Sequence, residues 1–331
     1  LATSCFWILK APRRRRAPGS IHPPPAWVRD TYFATLAQRI CRADMAFTEK
    51  QLQITISLGQ GQFGDTGANT VTLSGLRVRA EIQQFGGDAM PQVQLLVYGL
   101  PASMMNQLTA IGPINSAVLF QNSVLIAAGD SGKTLTTVYS GSIWQAWADY
   151  NQIPESALNI SAVGGLAASL KPVAATSYTG SADVETIMQS LASLAGLSFV
   201  NHGVSVQLSN PYFPGTALAQ IRECAQAADC NITIENGALE IWPKNGSRSL
   251  PAIPVVSVET GMVGYPTFSS NGLMVTTMFN PSIKIGGQFQ VQSSIKPANG
   301  IYVATQISHS LESMVPEGQW FTHILGVPQI G

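Results

Sequence analysis

The chain has 331 residues, 45% apolar and only 11% charged, with a formal net charge of zero. That much apolar content supports two or three packed domains and excludes a disordered polyelectrolyte. Four cysteines, at positions 5, 41, 224 and 230, are too few for a disulfide framework and fit a reducing cytoplasm. The sequence has no apolar run of the 18 or more residues expected of an integral membrane helix.

The neutral total conceals an asymmetry. Residues 1–44 hold eight basic side chains (Lys10, Arg13, Arg14, Arg15, Arg16, Arg29, Arg39, Arg42) against Asp30 and Asp44, a balance of +6, so the remainder carries −6. A secretory signal would place its basic residues before the apolar stretch, whereas here Leu1–Leu9 precede the arginines. A transit peptide or a nucleic-acid arm fits the arginines, but no basic surface follows. Composition changes at Met45, which has the look of an ordinary start, and residues 1–44 are expected to be a disordered or non-native leader.

Residues 45–170 are expected to form a first β-domain with its connector. Leu52, Ile54, Ile56 and Leu58 alternate with polar residues, as do Val71 and Leu73, then Val93, Leu95 and Val97. A helix is predicted over Pro101–Ile111, with proline in its first turn and Gly112 after its end.

The segment Ile126–Gly141 carries two suggestive motifs. Gly129-Asp130-Ser131-Gly132 resembles the nucleophile segment of a trypsin-like protease, and Gly132-Lys133-Thr134 the end of a phosphate loop. A phosphate loop needs a glycine where Ala127 stands, and a helix after its lysine. The β-branched run Thr134–Tyr139 is strand instead. A serine protease needs a histidine base and an orienting acid; His22 lies in the leader and His202 beside a turn glycine, leaving His309 and His323. The preferred reading is two strands, Val124–Ala127 and Thr134–Tyr139, joined by a flexible turn.

Residues 171–250 change character. Val184, Ile187, Met188, Leu191 and Leu194 follow helical spacing, with Ser181 placed to cap, Asp183 and Glu185 in the first turn, and Gly196 as the stop. Leu218, Ile221, Ala225 and Ala228 repeat the pattern after Thr216, and Asn236-Gly237 marks a two-residue hairpin. The units superpose at an offset of about 34 residues, Val184 on Leu218 and Gly203 on Gly237. A degenerate duplication of helix followed by hairpin is expected.

Residues 251–331 return to strands over Leu273–Phe279, Ile283–Val291, Ile301–His309 and Trp320–Leu325. They form a second expected β-domain. No catalytic, cofactor-binding or metal site emerges. Cys224 and Cys230 lie six apart around a helix end, His309 and His323 lie on separate strands, and neither pair has zinc-ligand spacing. Glu235 and Glu240 flank the hairpin, where a structural role accounts for them.

A resemblance links these segments. Gly215–Ala225, Ile241–Lys244, Glu259–Pro266, Phe279–Pro281, Ile283–Gly287, Asn299-Gly300, Ile307–His309 and Pro316–Trp320, with Val138–Ile143, resemble the baseplate hub proteins of contractile-tailed bacteriophages. The resemblance runs from Met45 to Gly331. It implies an α+β, mainly β fold of two tail-tube-like antiparallel β-domains with the αββ-αββ domain inserted between them. It further implies a homotrimer whose pseudo-sixfold ring joins the hexameric tail tube protein to the trimeric central spike protein, contacts other baseplate proteins and lines the path of phage DNA. Such a subunit is made in the host bacterial cytoplasm, works in the virion and is not an enzyme. Tyr265, Pro266, Phe279 and Trp320 are the interaction candidates. The rival expectations are a tail-associated hydrolase using Ser131 and a glycan-binding adhesin using the scattered aromatics.

Overall fold

The computed structural model describes residues 48–64, 67–87, 89–109, 122–151, 155–166 and 172–329. The leader over residues 1–44 lies outside these, as do Ile111 and Gly112.

Alternating burial makes the first strands. β1 (Lys50–Ser57) buries Leu52, Ile54 and Ile56 on one face and turns Gln51, Gln53 and Thr55 to the other. β2 (Thr70–Leu73), β3 (Val78–Phe85) and β4 (Gln92–Tyr98) follow, then helix α1 (Ala102–Leu108), which starts after Pro101. β5 (Ser123–Asp130), β6 (Thr136–Asp149) and β7 (Ala157–Val163) complete the first half. Their inward side chains, with Met104, Met105 and Leu108 of α1, make one apolar core.

The inserted segment holds β8 (Thr176–Ser177), β9 (Ser181–Asp183), α2 (Val184–Ala195), β10 (Ser198–Asn201), β11 (Gln207–Ser209), β12 (Tyr212–Phe213), α3 (Ala217–Ala227), β13 (Cys230–Glu235) and β14 (Ala238–Pro243). Both helices lay their apolar stripes, Val184, Ile187, Met188 and Leu191 against Leu218, Ile221 and Ala225, into a second core. Gly196 ends α2 in the left-handed region, and the Thr216 side chain accepts Ala219 N–H at the start of α3. The cap of α2 is Asp183 and not Ser181, whose hydroxyl is held by Gln207 in the β9–β11 pairing.

β13 and β14 form the expected hairpin about Asn236-Gly237, both at positive φ. The first unit departs from the duplication. β10 joins β14 in parallel, while β11 leaves to pair with β9.

The chain then makes β15 (Val255–Ser257), β16 (Met262–Ser269), β17 (Gly272–Met278), β18 (Gln288–Gln292), β19 (Gly300–Ser313) and β20 (Trp320–Pro328) around a third core. The strand expected over Ile283–Val291 is only β18. Its first part is a turn, with Gly286 at φ +72 closed by the Gly287 N–H to Lys284 carbonyl bond.

One relationship organises the whole. The first half is ordered β3-β4-β7-β6-β5-β1 and the last part β16-β17-β20-β19-β18-β15. These orders coincide when β3, β4, β5, β6 and β7 are matched to β16, β17, β18, β19 and β20; at the far end the parts differ, because β1 runs antiparallel to β5 and also carries β2, whereas β15 runs parallel to β18. One bulge coincides too: β6 shifts register between Ile143 and Gln145 against β7, and β19 between Ala304 and Gln306 against β20, whereas the shifts in β5–β6 and β16–β17 have no counterpart. The halves share one 13-stranded sheet because β19 pairs antiparallel with β3, from Gln306↔Phe85 to Ser313↔Val78. Leu311 and Trp320 of the last part thereby enter the first core, and residues from Thr48 onward form one compact unit.

Candidate functional site

The Gly129–Lys133 segment is a turn locked by charge. Asp130 Oδ1 lies 2.5 Å from Lys50 Nζ and its Oδ2 2.9 Å from Lys133 Nζ, so the turn lysine is spent on the aspartate. Hydrogen bonds from Lys50 and then Lys133 hold the Asp130 carboxyl down to about 2. Lys133 N–H closes the turn on Asp130 carbonyl, and Gly132 sits at φ +80. Ser131 gives its N–H to Glu49 carbonyl. It opens on a cleft with Glu49, Lys50, Gln51, Leu52, Gly75, Leu76, Ser313 and Met314. Among the described residues no histidine lines that cleft.

The described histidines are committed elsewhere. His309 is buried, with Nδ1 3.0 Å from Thr322 Oγ1. Burial first, then the Lys284 cation, pushes it down to about 3, so it stays neutral at neutral pH. His323 Nδ1 lies 3.0 Å from Thr276 Oγ1, and His202 Nε2 2.7 Å from Glu240. Cys224 and Cys230 are free and buried; burial pushes their thiols up to about 12 and about 11, which removes thiolate chemistry at neutral pH. Among the described residues no group of three His, Cys, Asp or Glu side chains is arranged to hold a metal.

A polar cluster that sequence reading passed over joins the insert to the last part. Arg248, on the connector after β14, reaches Glu235 with Nη1 (3.0 Å) and Glu240 with Nη2 (2.5 Å), and Nη1 also donates to Ile285 carbonyl. Lys284 Nζ takes the other Glu235 oxygen at 2.6 Å, and His202 the other Glu240 oxygen. Burial alone would raise Glu235, but Lys284 and then Arg248 outweigh it and hold its carboxyl below the usual range. Glu235 and Glu240 thus share one cation across two segments. The only sequence signal was two carboxylates on one hairpin, and a connector arginine is invisible to hairpin spacing.

The aromatic candidates separate by burial. Tyr265 stands 70% exposed on β16, while Pro266 beside it is buried. Phe279 is half-buried and meets His309 and Trp320 edge-on, and Trp320 lies in the first core. Trp144, Trp147, Tyr150, Tyr212 and Phe268 are exposed, whereas Phe213 and Trp242 are buried.

The polar face of the sheet is continuous. Ser310, Glu81, Gln94, Ser161 and Gln145 stand side by side across β19, β3, β4, β7 and β6. Arg79 on the same face lies 3.3 Å from Glu81 and 3.7 Å from Glu312.

The fold is a mostly antiparallel β-architecture with three α-helices among its described residues, of the kind seen in tail-tube-like phage proteins. The sequence model of the family described as baseplate hub gp41 matches residues 51–321, and the chain belongs to that family. No curated protein sequence matches it. Among solved structures it is similar to a tail protein from Neisseria meningitidis MC58, at 10% identity and TM-score 0.56, covering 83% of this chain and 96% of that one. It is similar to the 43 kDa tail protein of prophage MuSo2 from Shewanella oneidensis, at 12% identity and TM-score 0.54, covering 85% and 97%. It is also similar to the E. coli c3393 protein, described as a component of the type VI secretion system with structural similarity to T4 tail proteins gp27 and gp5. That match has 10% identity and TM-score 0.51 and covers 76% and 73%. At these identities the likeness is one of fold.

Proposed function

We propose that this baseplate hub subunit is the adaptor between tube and spike in a contractile tail. Three copies form a pseudo-sixfold ring that receives the hexameric tail tube protein on one side and the trimeric central spike protein on the other. The observation that carries this is the coincident strand order of the two β-parts. A chain with two equivalent parts presents six equivalent modules when three copies close a ring. That converts threefold into sixfold contacts.

The polar face fits the lining of the DNA path in such a ring. Its cation Arg79 lies between two carboxylates, so a polyanion finds little to grip. The subunit acts by shape and contact, without catalysis. It is made in the host cytoplasm and functions in the virion, with other baseplate proteins packed around it.

Light scattering after size exclusion, with and without the tube and spike proteins, tests this. A trimer, alone or on mixing with either partner, is expected. A monomer indifferent to both would overturn the reading.

A further inference from the structure

The three parts of the chain meet around one cleft of about 290 Å³. The turn Gly86-Gly87 of the first part forms one wall, the Trp242–Gly246 end of the insert's hairpin a second, and the bulge of β19 with the end of β20 a third. Thr305, the extra residue of that bulge, accepts the Gly86 N–H on its carbonyl and gives its hydroxyl to the Leu325 carbonyl, which ties the first wall to the third. A Cβ on Gly86 would sit 3.5 Å from Ile285 Cγ2, and Gly87 stands at φ +87. Bare backbone on that side leaves the cleft open.

The floor is apolar and the rim carries one cation. Trp242, Ile285, Val303 and Ala304 are each no more than 8% exposed, whereas the polar lining residues Lys244, Asn245 and Gln329 are exposed. Lys244 is placed through its backbone. Asn231 Nδ2 donates to the Pro243 and Lys244 carbonyls at 3.2 and 3.0 Å, and the Gly246 N–H closes the turn on Pro243. Lys50, Lys133 and Lys284 each reach a carboxylate, but among the described residues none lies within ion-pair distance of Lys244.

We infer that this cleft binds an amphipathic carboxylate, with one aromatic or branched apolar group on the Trp242–Ala304 floor and the carboxylate against the Lys244 ammonium. The site is independent of the ring reading and adds a ligand to it.

Size, charge and polarity each narrow the class. A volume of about 290 Å³ takes one ring with a short chain and is too small for a nucleotide or an oligosaccharide. A phosphate calls for several donors or an arginine fork, and the lining holds one lysine and no arginine. A neutral apolar ligand would leave the ammonium unpaired, whereas a carboxylate gains a charge-assisted hydrogen bond from it and a second donor in the Asn245 amide. An apolar cleft with few polar groups, set where parts of a chain join, is the usual form of a ligand site. The same chemistry is carried by a free acid and by an apolar side chain next to an acidic one in a partner's peptide.

Saturation-transfer NMR on the full chain tests the site, with hydrocinnamate, its neutral analogue hydrocinnamyl alcohol, and acetate as probes. Transfer to the ring protons of hydrocinnamate is expected, with the alcohol bound about tenfold or more weaker and acetate giving no signal. Lys244→Glu, at an exposed position, should keep the melting temperature and weaken hydrocinnamate by at least as much. Val327→Trp, at a lining position 36% exposed, should fill the cleft and abolish transfer to both aromatic probes. A blocked phenylalanyl-aspartate dipeptide separates the two sources. Binding tighter than hydrocinnamate assigns a partner's peptide, and weaker binding a free acid. No transfer to hydrocinnamate, equal binding of acid and alcohol, or binding unchanged by Lys244→Glu overturns the site and leaves the ring reading standing.

Discussion

Trp242 lies across Gly286. A Cβ on that glycine would fall 2.5 Å from Trp242 Cζ2, and the glycine sits at φ +72. Trp242 ends the insert's hairpin, but its ring belongs to the core of the last part, beside Ile285 and Phe289. Gly286→Ala is expected to destabilise by about 2 kcal/mol or more, combining left-handed strain with overpacking. Urea unfolding followed by tryptophan fluorescence measures it, and an unchanged midpoint would show that the insert does not depend on this seat.

Arg248 fixes the same joint by charge. Arg248→Met leaves buried Glu235 and half-buried Glu240 without their shared guanidinium, an expected loss of about 3 kcal/mol, at the low end for a broken buried pair because Lys284 still faces Glu235. Arg248→Lys should recover little, because one ammonium cannot span both carboxylates as the planar fork does. Arg248→Met combined with Glu235→Leu should be milder than Arg248→Met alone. Chemical denaturation of the three variants decides it.

Acid should weaken the fold through His309. Unfolded, this imidazole takes a proton near 6.5; folded, only near 3, because burial and then Lys284 oppose its charge. Between those values the unfolded chain binds more protons, so stability falls as pH falls. The limiting slope is about 1.4 kcal/mol per pH unit for one group. His309→Gln should flatten the dependence of the urea midpoint between pH 6.5 and 5.5, above the range where ordinary carboxylates titrate.

Asp130 and Ser131 are expected to behave oppositely. Ser131→Ala should change stability by no more than about 0.5 kcal/mol, as at other exposed turns, and leave any peptide- or glycan-hydrolysing activity of the preparation unaltered. Asp130→Ala removes the partner of Lys50 and Lys133 and should lower the melting temperature. Asp130's contribution is complete above the ordinary carboxylate range and is lost as pH falls towards its folded value of about 2. A hydrolytic activity lost on Ser131→Ala would restore the enzyme reading.

The expected edges of the structure met the real ones where local chemistry governs them. Leu52, Ile54 and Ile56 alternate because one face of β1 is buried, and Gly196 and Asn236-Gly237 stop a helix and turn a hairpin through their own backbone freedom. Ser181 was misread as a cap because hydroxyl position is local but its partner Gln207 is not. The strand expected at Ile283–Val291 shortened for a similar reason: its apolar side chains face the core from a turn whose glycine must clear Trp242. Glu235 and Glu240 looked like ordinary hairpin flanks until the connector brought Arg248 between them.

By itself the sequence determined the β, helical and β succession and the turns between strands, since side-chain period and backbone preference act over a few residues. Its motifs also carried the resemblance to baseplate hubs that the family model bears out. Only the tertiary structure decided that the two β-parts share a strand order and that β19 closes on β3. Strand pairing joins residues hundreds of positions apart through backbone groups that every residue carries, so no side-chain pattern announces it.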